Sequence, residues 1–423
     1  MAEGFITRRG GVGGLLEITG QEIISGEYAE TIAKFDTVFA NLVPEVPGDS
    51  QWDTTINKIA DPATLPTGEP RETAFSPDGN YLAVGHQVSP FITIYKRDGD
   101  TFTKLPNPST LPTGSGRGTS FSPDGAYLAV GHSNSPFITI YKRDGDTFTK
   151  LANPSSLPSS TSNSVSFSSN GIYLSVAHFN SPFLTMYKRD GDTFTRIFTV
   201  PSLNATGNGT SFSPNSIYLA SASDSSPFVT IFKRDGDTFT KLPDPNILPP
   251  SFSQSVSFSP DNIYLAVAHS NSPFLTIYKR DGDTFTKLSD PSILPAGIGR
   301  GVAFSHDGVY LSVAHSNSPF ITIYKRDGDT FTKVTDPSTL PPNIGRRTDF
   351  SVDNIYLSVT HNDSPFVTIY KTTLATGTPA YTEIVKANNS LTLPENITDA
   401  GYALEDGTTG EEKTMMSLFR SQT

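Results

Sequence analysis

The feature that most constrains this chain is a repeat. Phe75, Phe121, Phe167, Phe212, Phe258, Phe304 and Phe350 each precede a serine, or in one copy the Ser351 of a variant turn, at spacings of 46, 46, 45, 46, 46 and 46 residues. A period of that length marks an array in which one supersecondary unit cannot bury its own apolar surface and needs copies beside it. Each copy runs through a block such as Phe121-Ser-Pro-Asp-Gly-Ala-Tyr-Leu-Ala-Val-Gly-His132, then Ser135-Pro-Phe-Ile-Thr-Ile-Tyr-Lys-Arg-Asp-Gly-Asp-Thr-Phe-Thr-Lys-Leu151.

Each block reads as four short strands, A to D. Strand A ends at the Phe-Ser pair. Ser-Pro-Asp-Gly is a turn, because Pro presets φ, Asp bonds its own backbone and Gly accepts positive φ. Strand B is expected over 127–131 and strand C over 137–141, with Pro136 just ahead of it, where a missing N–H is harmless. Arg143-Asp-Gly-Asp146 signals a hairpin, leading to strand D over 147–151. A loop containing Leu-Pro then joins the next copy. Strands this continuously apolar fit sheets buried on both faces. The expectation is an all-β chain, a seven-bladed β-propeller of four-stranded blades, inserted in a small split β domain. A linear β-solenoid competes, but its coils are shorter and lack repeated hairpin turns.

The chain offers seven A–B–C sets and eight D-like segments. Trp52-Asp-Thr-Thr-Ile-Asn-Lys-Ile59 copies a D strand before any A strand exists, and after Tyr370-Lys371 the Arg-Asp-Gly-Asp hairpin is missing. Residues 53–59 are therefore expected to complete the last blade beside 366–370, which would remove loose edges. The alternative outer strand is 381–385. The resulting domains are 1–50, an N-terminal arm and first half of an anchor; 51–385, the propeller; and 386–423, the second half of the anchor.

The formal net charge is −11, with eight acids against three bases in 1–50 and six against three in 386–423, so the propeller itself is close to neutral. That charge pattern gives no nucleic-acid footprint. There is no cysteine, which excludes disulfides and thiolate metal sites. No apolar run is long enough to span a membrane, and the N-terminus lacks the apolar core of a secretory signal. Membrane insertion is not expected.

The Phe-Ser-Pro-Asp-Gly-x-Tyr-Leu-Ala-Val pattern resembles WD-repeat and WD-like propellers across residues 50–371. The likeness lies in strands A and B. In strand C, where that family often has Trp-Asp, this chain has Tyr-Lys-Arg-Asp, so the family's His–Ser–Asp–Trp network is not carried over. In the flanks, Ile32-Ala-Lys-Phe-Asp-Thr-Val-Phe39 and Gly401–Phe419 look like segments of small β modules in bacteriophage structural proteins.

Two sets of repeat positions are candidate binding residues. Four residues ahead of each repeat Phe stand Arg71, Arg117, Asn163, Asn208, Gln254, Arg300 and Arg346. In a closed ring the arginines form one arc and the amides the other. Guanidinium forks suit carboxylate, phosphate or sulfate, and amides suit sugar hydroxyls; the competing role is capping of loop carbonyls. Six histidines, His86, His132, His178, His269, His315 and His361, share the position where strand B enters the B–C loop, with Ser223 in the fourth copy. Each imidazole is expected to tie its own loop, with ligand contact as the other reading. No metal, cofactor or catalytic residue is expected, since no nucleophile motif or phosphate loop appears. The Lys-Arg-Asp-Gly-Asp hairpins read as solvated, charge-balanced turns.

The phage resemblance implies a non-enzymatic virion structural or decoration protein of capsid or tail. It would be made in the host cytoplasm, bound to other virion proteins through the flanking domain, and would display the propeller toward a host surface, glycan or protein. A glycan or anionic ligand would sit on the face of the D–A and B–C loops, and homo-oligomerisation is compatible with the design. The rival readings are a free-standing bacterial propeller that binds a protein or glycan, and a propeller hydrolase or lyase with an unrecognised site.

Overall fold

In a computed structural model, residues 5–7, 17–19, 50–197, 203–374, 402–404 and 415–417 are described. The chain divides into two compact units, Ser50–Thr373 and the combination of Met1–Asp49 with Leu374–Thr423. In the second of these, Phe5–Thr7 pairs antiparallel with Glu17–Thr19, and Tyr402–Leu404 with Met415–Ser417. The expected alternative strand at 381–385 lies outside the described residues.

The larger unit is a seven-bladed β-propeller. It holds seven four-stranded sheets ordered A-B-C-D; in six of them the four strands are consecutive, and the seventh takes its D strand from the front of the unit. The second blade is typical, with strands Gly116–Phe121, Tyr127–His132, Ile138–Asp144 and Thr147–Lys150. Strand C starts one residue later than its sequence suggests, because Phe137 and its equivalents adopt a positive φ of 65–70° after a cis Ser-Pro bond. The Phe137 carbonyl then accepts from His132 N at 2.9 Å, which closes the B–C loop. The A strands line up side by side around the axis, and that of the seventh blade packs against that of the first.

Burial follows from this layout. Strand B is buried throughout, for example Tyr127–His132, because blades cover it on both sides. Each apolar cluster spans two neighbouring blades rather than one: Tyr81, Ile94, Leu128 and Phe148 share one, and Tyr356, Ile369, Leu82 and Phe102 share the one that joins the seventh blade to the first. No blade has a core of its own, so the repeat is stable only as a ring.

The ring is closed by the N-terminal segment. Ser50–Lys58 forms the outer strand of the last sheet, next to Val367–Leu374. Ile59 N donates to Ile369 O at 3.0 Å. Trp52 is 0% exposed, donates Nε1 to Asn354 O at 3.0 Å, and meets Phe350 edge-on at 5.5 Å. Both ends of the propeller unit, the start of a D strand and the end of a C strand, therefore lie on the face of the A–B and C–D turns.

Candidate binding site at the propeller mouth

All seven A strands carry the same irregularity. In the first blade Pro70 is paired with His86 and Glu72 with Gly85, so Arg71 is the extra residue of a β-bulge; Arg117, Asn163, Asn208, Gln254, Arg300 and Arg346 occupy the same place. A bulge breaks the two-residue alternation and re-aims one side chain. Here it turns seven half-buried polar side chains into the channel mouth, where they line one pocket of about 260 Å³. Phe179 from a B–C loop and Phe252 from a D–A loop line it too, so the two loop sets share this face.

The charge of the mouth is lopsided. Arg71, Arg117, Arg300 and Arg346 come from four consecutive blades, and Arg347 adds a fifth guanidinium. Arg346 pairs with Glu69 and donates Nε to Asn362 Oδ1 at 2.5 Å. Arg347 Nε donates to Glu72 Oε2 at 3.2 Å, and its Nη atoms reach the carbonyls of Arg300 and Gln254. The others are less well served: Arg117 Nη1 reaches Asn163 Oδ1 at 3.4 Å, but Nε of Arg71, Arg117 and Arg300 is buried without a hydrogen-bond partner. Burial, then the Arg346 charge, lowers the Arg71 pKa to about 10, with Glu69 opposing. Burial lowers Arg117 and Arg300 as well.

The opposite side is neutral to acidic. Asn163 Nδ2 donates to Gly207 O and Asn208 Nδ2 to Ser253 O, each at 3.0 Å, while Asn208 also holds the exposed Asp224 carboxylate. Capping of neighbouring carbonyls thus accounts for part of the amide arc. It leaves the Asn208 oxygen as an acceptor, while Asn163 Oδ1 accepts from Arg117 Nη1 at 3.4 Å. Phe179 and Phe252 stay 52% and 43% exposed.

Neither a protein-family model nor a curated protein matches the chain. Solved structures do. The chain is similar to Kuenenia stuttgartiensis hydrazine synthase (17% identity, TM-score 0.58, 74% of this chain and 97% of that one) and to a Lactobacillus plantarum protein (18%, 0.58, 70% and 94%). It is also similar to the Myceliophteria thermophila Cps50 (Swd1) β-propeller domain (12%, 0.55, 75% and 100%). At such identities the likeness establishes the β-propeller fold and nothing beyond it.

Deeper in the channel, a second cavity is lined by Ser120, Ser166, Ser211 and Ser257 together with Glu72 and Asp349, and Arg347 borders both cavities. Ser120 Oγ accepts from Phe167 N of the next blade at 3.2 Å, and Asp349 Oδ2 does the same for Phe75 N at 2.7 Å. The two acids are thus engaged at the seam between the last and first blades. Burial raises both to about 7, with Arg347 opposing at Glu72.

The six histidines are not at the mouth. His86, His132, His178, His269, His315 and His361 are 0% exposed. Each Nε2 lies 2.9–3.0 Å from a strand-C threonine hydroxyl, such as Thr93 or Thr139. His269 Nδ1 faces Asn271 O at 2.9 Å and His361 Nδ1 faces Asp363 O at 2.8 Å. A carbonyl only accepts, so the proton of these two sits on Nδ1 and the threonine donates to Nε2. Ligand contact by these imidazoles is set aside, because no part of them is accessible.

The Lys-Arg-Asp-Gly-Asp turns are more than solvated hairpins. Lys96 pairs with Asp146 of the next blade, and the pattern continues through Lys142–Asp192, Lys188–Asp237, Lys233–Asp283 and Lys279–Asp329 to Lys371–Asp100 at the closure, all at 2.6–2.8 Å. The same aspartate accepts from a strand-B tyrosine, as Asp146 does from Tyr81 at 2.5 Å. Arg143 stacks 4.8 Å above that Tyr81 ring and pairs with Asp78 at 2.8 Å. Where the turn has Asn170 or Asn215 in place of aspartate, Arg234 and Arg280 bond backbone carbonyls instead. Among the described residues, one motif clasps the blades together at six of the seven boundaries.

Arg347, Phe179, Phe252 and Asp224 were not singled out from the sequence. The signal lay in departures from the repeat: Arg347 and Glu72 stand where other copies have Gly118, Ser164, Gly209, Ser255 and Gly301, and Phe179 where they have Gln87, Ser133 or Ser270. The small residues answer to close approach, since a Cβ on Gly301 would lie 2.7 Å from Arg347 Cα.

Proposed function

We propose that the protein is a non-enzymatic binding propeller whose D–A and B–C face takes a ligand through an anionic group at the arginine arc. The observation that carries this reading is the set of buried, partnerless Nε atoms of Arg71, Arg117 and Arg300 around one pocket. Leaving such donors dry is costly, and a bound carboxylate, sulfate or phosphate relieves both the missing hydrogen bonds and the mutual repulsion. The chain enters and leaves the propeller on the other face, which keeps the mouth clear of those junctions. We place the protein on a bacteriophage particle, with residues 1–49 and 374–423 holding it to other virion proteins; the flank resemblance is the support for that part.

The test is calorimetric titration of the full chain with sulfate, phosphate and carboxylated ligands, and co-purification with particles at fixed stoichiometry. Arg71→Ala with Arg346→Ala should weaken anion binding at least ten-fold and leave particle incorporation unchanged. Equal binding by the double variant would make the arc structural. The hydrolase reading has one observation in its favour, the two channel carboxylates raised to about 7. A turnover assay that depends on Glu72→Gln and Asp349→Asn would favour it over binding.

A further inference from the structure

The mouth carries more information than charge. Resting on its reading as an anion site, we propose that the ligand is an acidic sugar, a pyranose bearing a carboxylate, held with the carboxylate on the arginine arc and the ring across the aromatic and amide side. A simple inorganic anion would need the cationic arc and nothing else, yet the facing wall has two large rings left open to solvent, Phe179 and Phe252. These stand at positions where most other copies of the repeat carry small or polar residues, so the repeat itself does not require them.

Between the rings lie acceptors. The amide nitrogens of Asn163 and Asn208 are spent on Gly207 O and Ser253 O, which fixes both amides; Asn163 Oδ1 accepts from Arg117 Nη1 at 3.4 Å, and the Asn208 oxygen is the one presented to the pocket. Asp224 adds a carboxylate on the same side. Hydroxyl groups donate to such oxygens, whereas a second anionic group would be repelled by Asp224. A ligand that is anionic at one end and rich in hydroxyl donors at the other satisfies both walls, and the apolar face of a pyranose covers an exposed aromatic ring. The pocket, at about 260 Å³, falls just below the ~300–1,000 Å³ of sites for drug-sized ligands. It fits one sugar ring inside, with the neighbouring residues of a chain crossing the open mouth. An acidic peptide shares the carboxylate but offers no ring of hydroxyl donors to Asn208 and Asp224.

The experiment is titration calorimetry of the full-length protein with four ligands: a glucuronate-containing tetrasaccharide, the neutral glucose tetrasaccharide, tetraglutamate and inorganic phosphate. Two variants accompany the wild type, Phe179→Ser with Phe252→Thr, and Arg71→Asn with Arg300→Asn. Both pairs use residue types that the repeat carries at the same positions in other blades, so folding is retained and is checked by the melting temperature. The acidic tetrasaccharide is expected to bind at least ten-fold tighter than the neutral one, to lose that advantage in the arginine variant, and to weaken about ten-fold in the phenylalanine variant, with phosphate binding unchanged there. If phosphate or tetraglutamate binds as tightly as the acidic sugar and the phenylalanine variant changes nothing, the sugar assignment is overturned while the anion site stands. If none of the three anions binds the wild type, the anion site itself falls.

Discussion

The two faces of the propeller use arginine in opposite ways. On the hairpin face Arg97 pairs with Asp353 at 2.8 Å and lies 4.9 Å above the Tyr356 ring; Arg143, Arg189 and Arg326 repeat both contacts, and Arg234 and Arg280 keep the ring contact while bonding backbone carbonyls. At the mouth burial and then the Arg346 charge lower the pKa of Arg71 and Arg300, burial lowers that of Arg117, and the Nε atoms of all three have no acceptor. A partnered cation between blades contributes to the fold. Cations gathered in a pocket with too few acceptors oppose the fold, and it is on this that the proposed anion site rests. The lesson is that charge type says little and charge satisfaction says much.

The largest effect should come from the element on which both faces depend. Trp52→Ala empties a fully buried site in the closing strand and should cost roughly 3–5 kcal/mol, lowering the melting temperature while loosening the clasp of Lys371 and Asp100. A melting curve unchanged from wild type would break the comparison at its root, because the two faces would then not share one ring.

Acid should act next, through the interior histidines. Burial lowers their pKa from 6.5 to about 4, so the folded chain keeps them neutral where the unfolded chain takes up protons. The folded pKa is the depressed one; the stabilisation is therefore present above pH 6.5 and is lost as pH falls toward 4. Each histidine contributes about 3 kcal/mol over that range. Glu72 and Asp349 have raised pKa values and oppose the trend, but they are two groups against six. Urea midpoints should fall steeply between pH 6.5 and 4.5, and His132→Ser should flatten the slope. A flat profile would mean that the imidazoles reach solvent as the mouth arginines do.

The sharpest contrast is between Arg143 and Arg71. Arg143→Ala removes an ion pair and a ring contact and should destabilise by about 1–2 kcal/mol. Arg71→Asn should instead stabilise the ligand-free protein by about 1 kcal/mol, since it removes a dry donor and a like charge. Equal destabilisation by both, read from urea unfolding, would erase the distinction between the faces. Smallest of all is Lys96→Ala, a half-exposed partner of Asp146, expected to cost about 0.2–1 kcal/mol and less at high salt.

Several of these features were legible in the sequence. The repeat period, the turn residues of Ser122-Pro-Asp-Gly125 and the orphan strand at Trp52 led directly to blades, strand order and closure, because each rests on local chemistry or on counting strands. The seven mouth residues were legible as an equivalent set. Their direction was not, because a bulge depends on how strand A meets strand B: Arg71 is skipped between the pairs Pro70–His86 and Glu72–Gly85, and no residue type announces it. The hairpins are solvated turns, as their sequence suggests, but their cross-blade partners were not legible for a related reason. Lys96 and Asp146 are 50 residues apart, and a balanced turn read by itself does not show which neighbour its charges meet.

What the sequence determined by itself is the ring: a unit that repeats with fixed strand and turn chemistry, too thin to bury itself, has to stack, and a D strand displaced to the front of the chain has to return to the last blade. What only the tertiary structure decided is which charges find partners. Satisfaction of a charge is a property of neighbours in the next blade, tens of residues away, and it is this that turns one Lys-Arg-Asp-Gly-Asp set into clasps and leaves Arg71, Arg117 and Arg300 facing an open pocket.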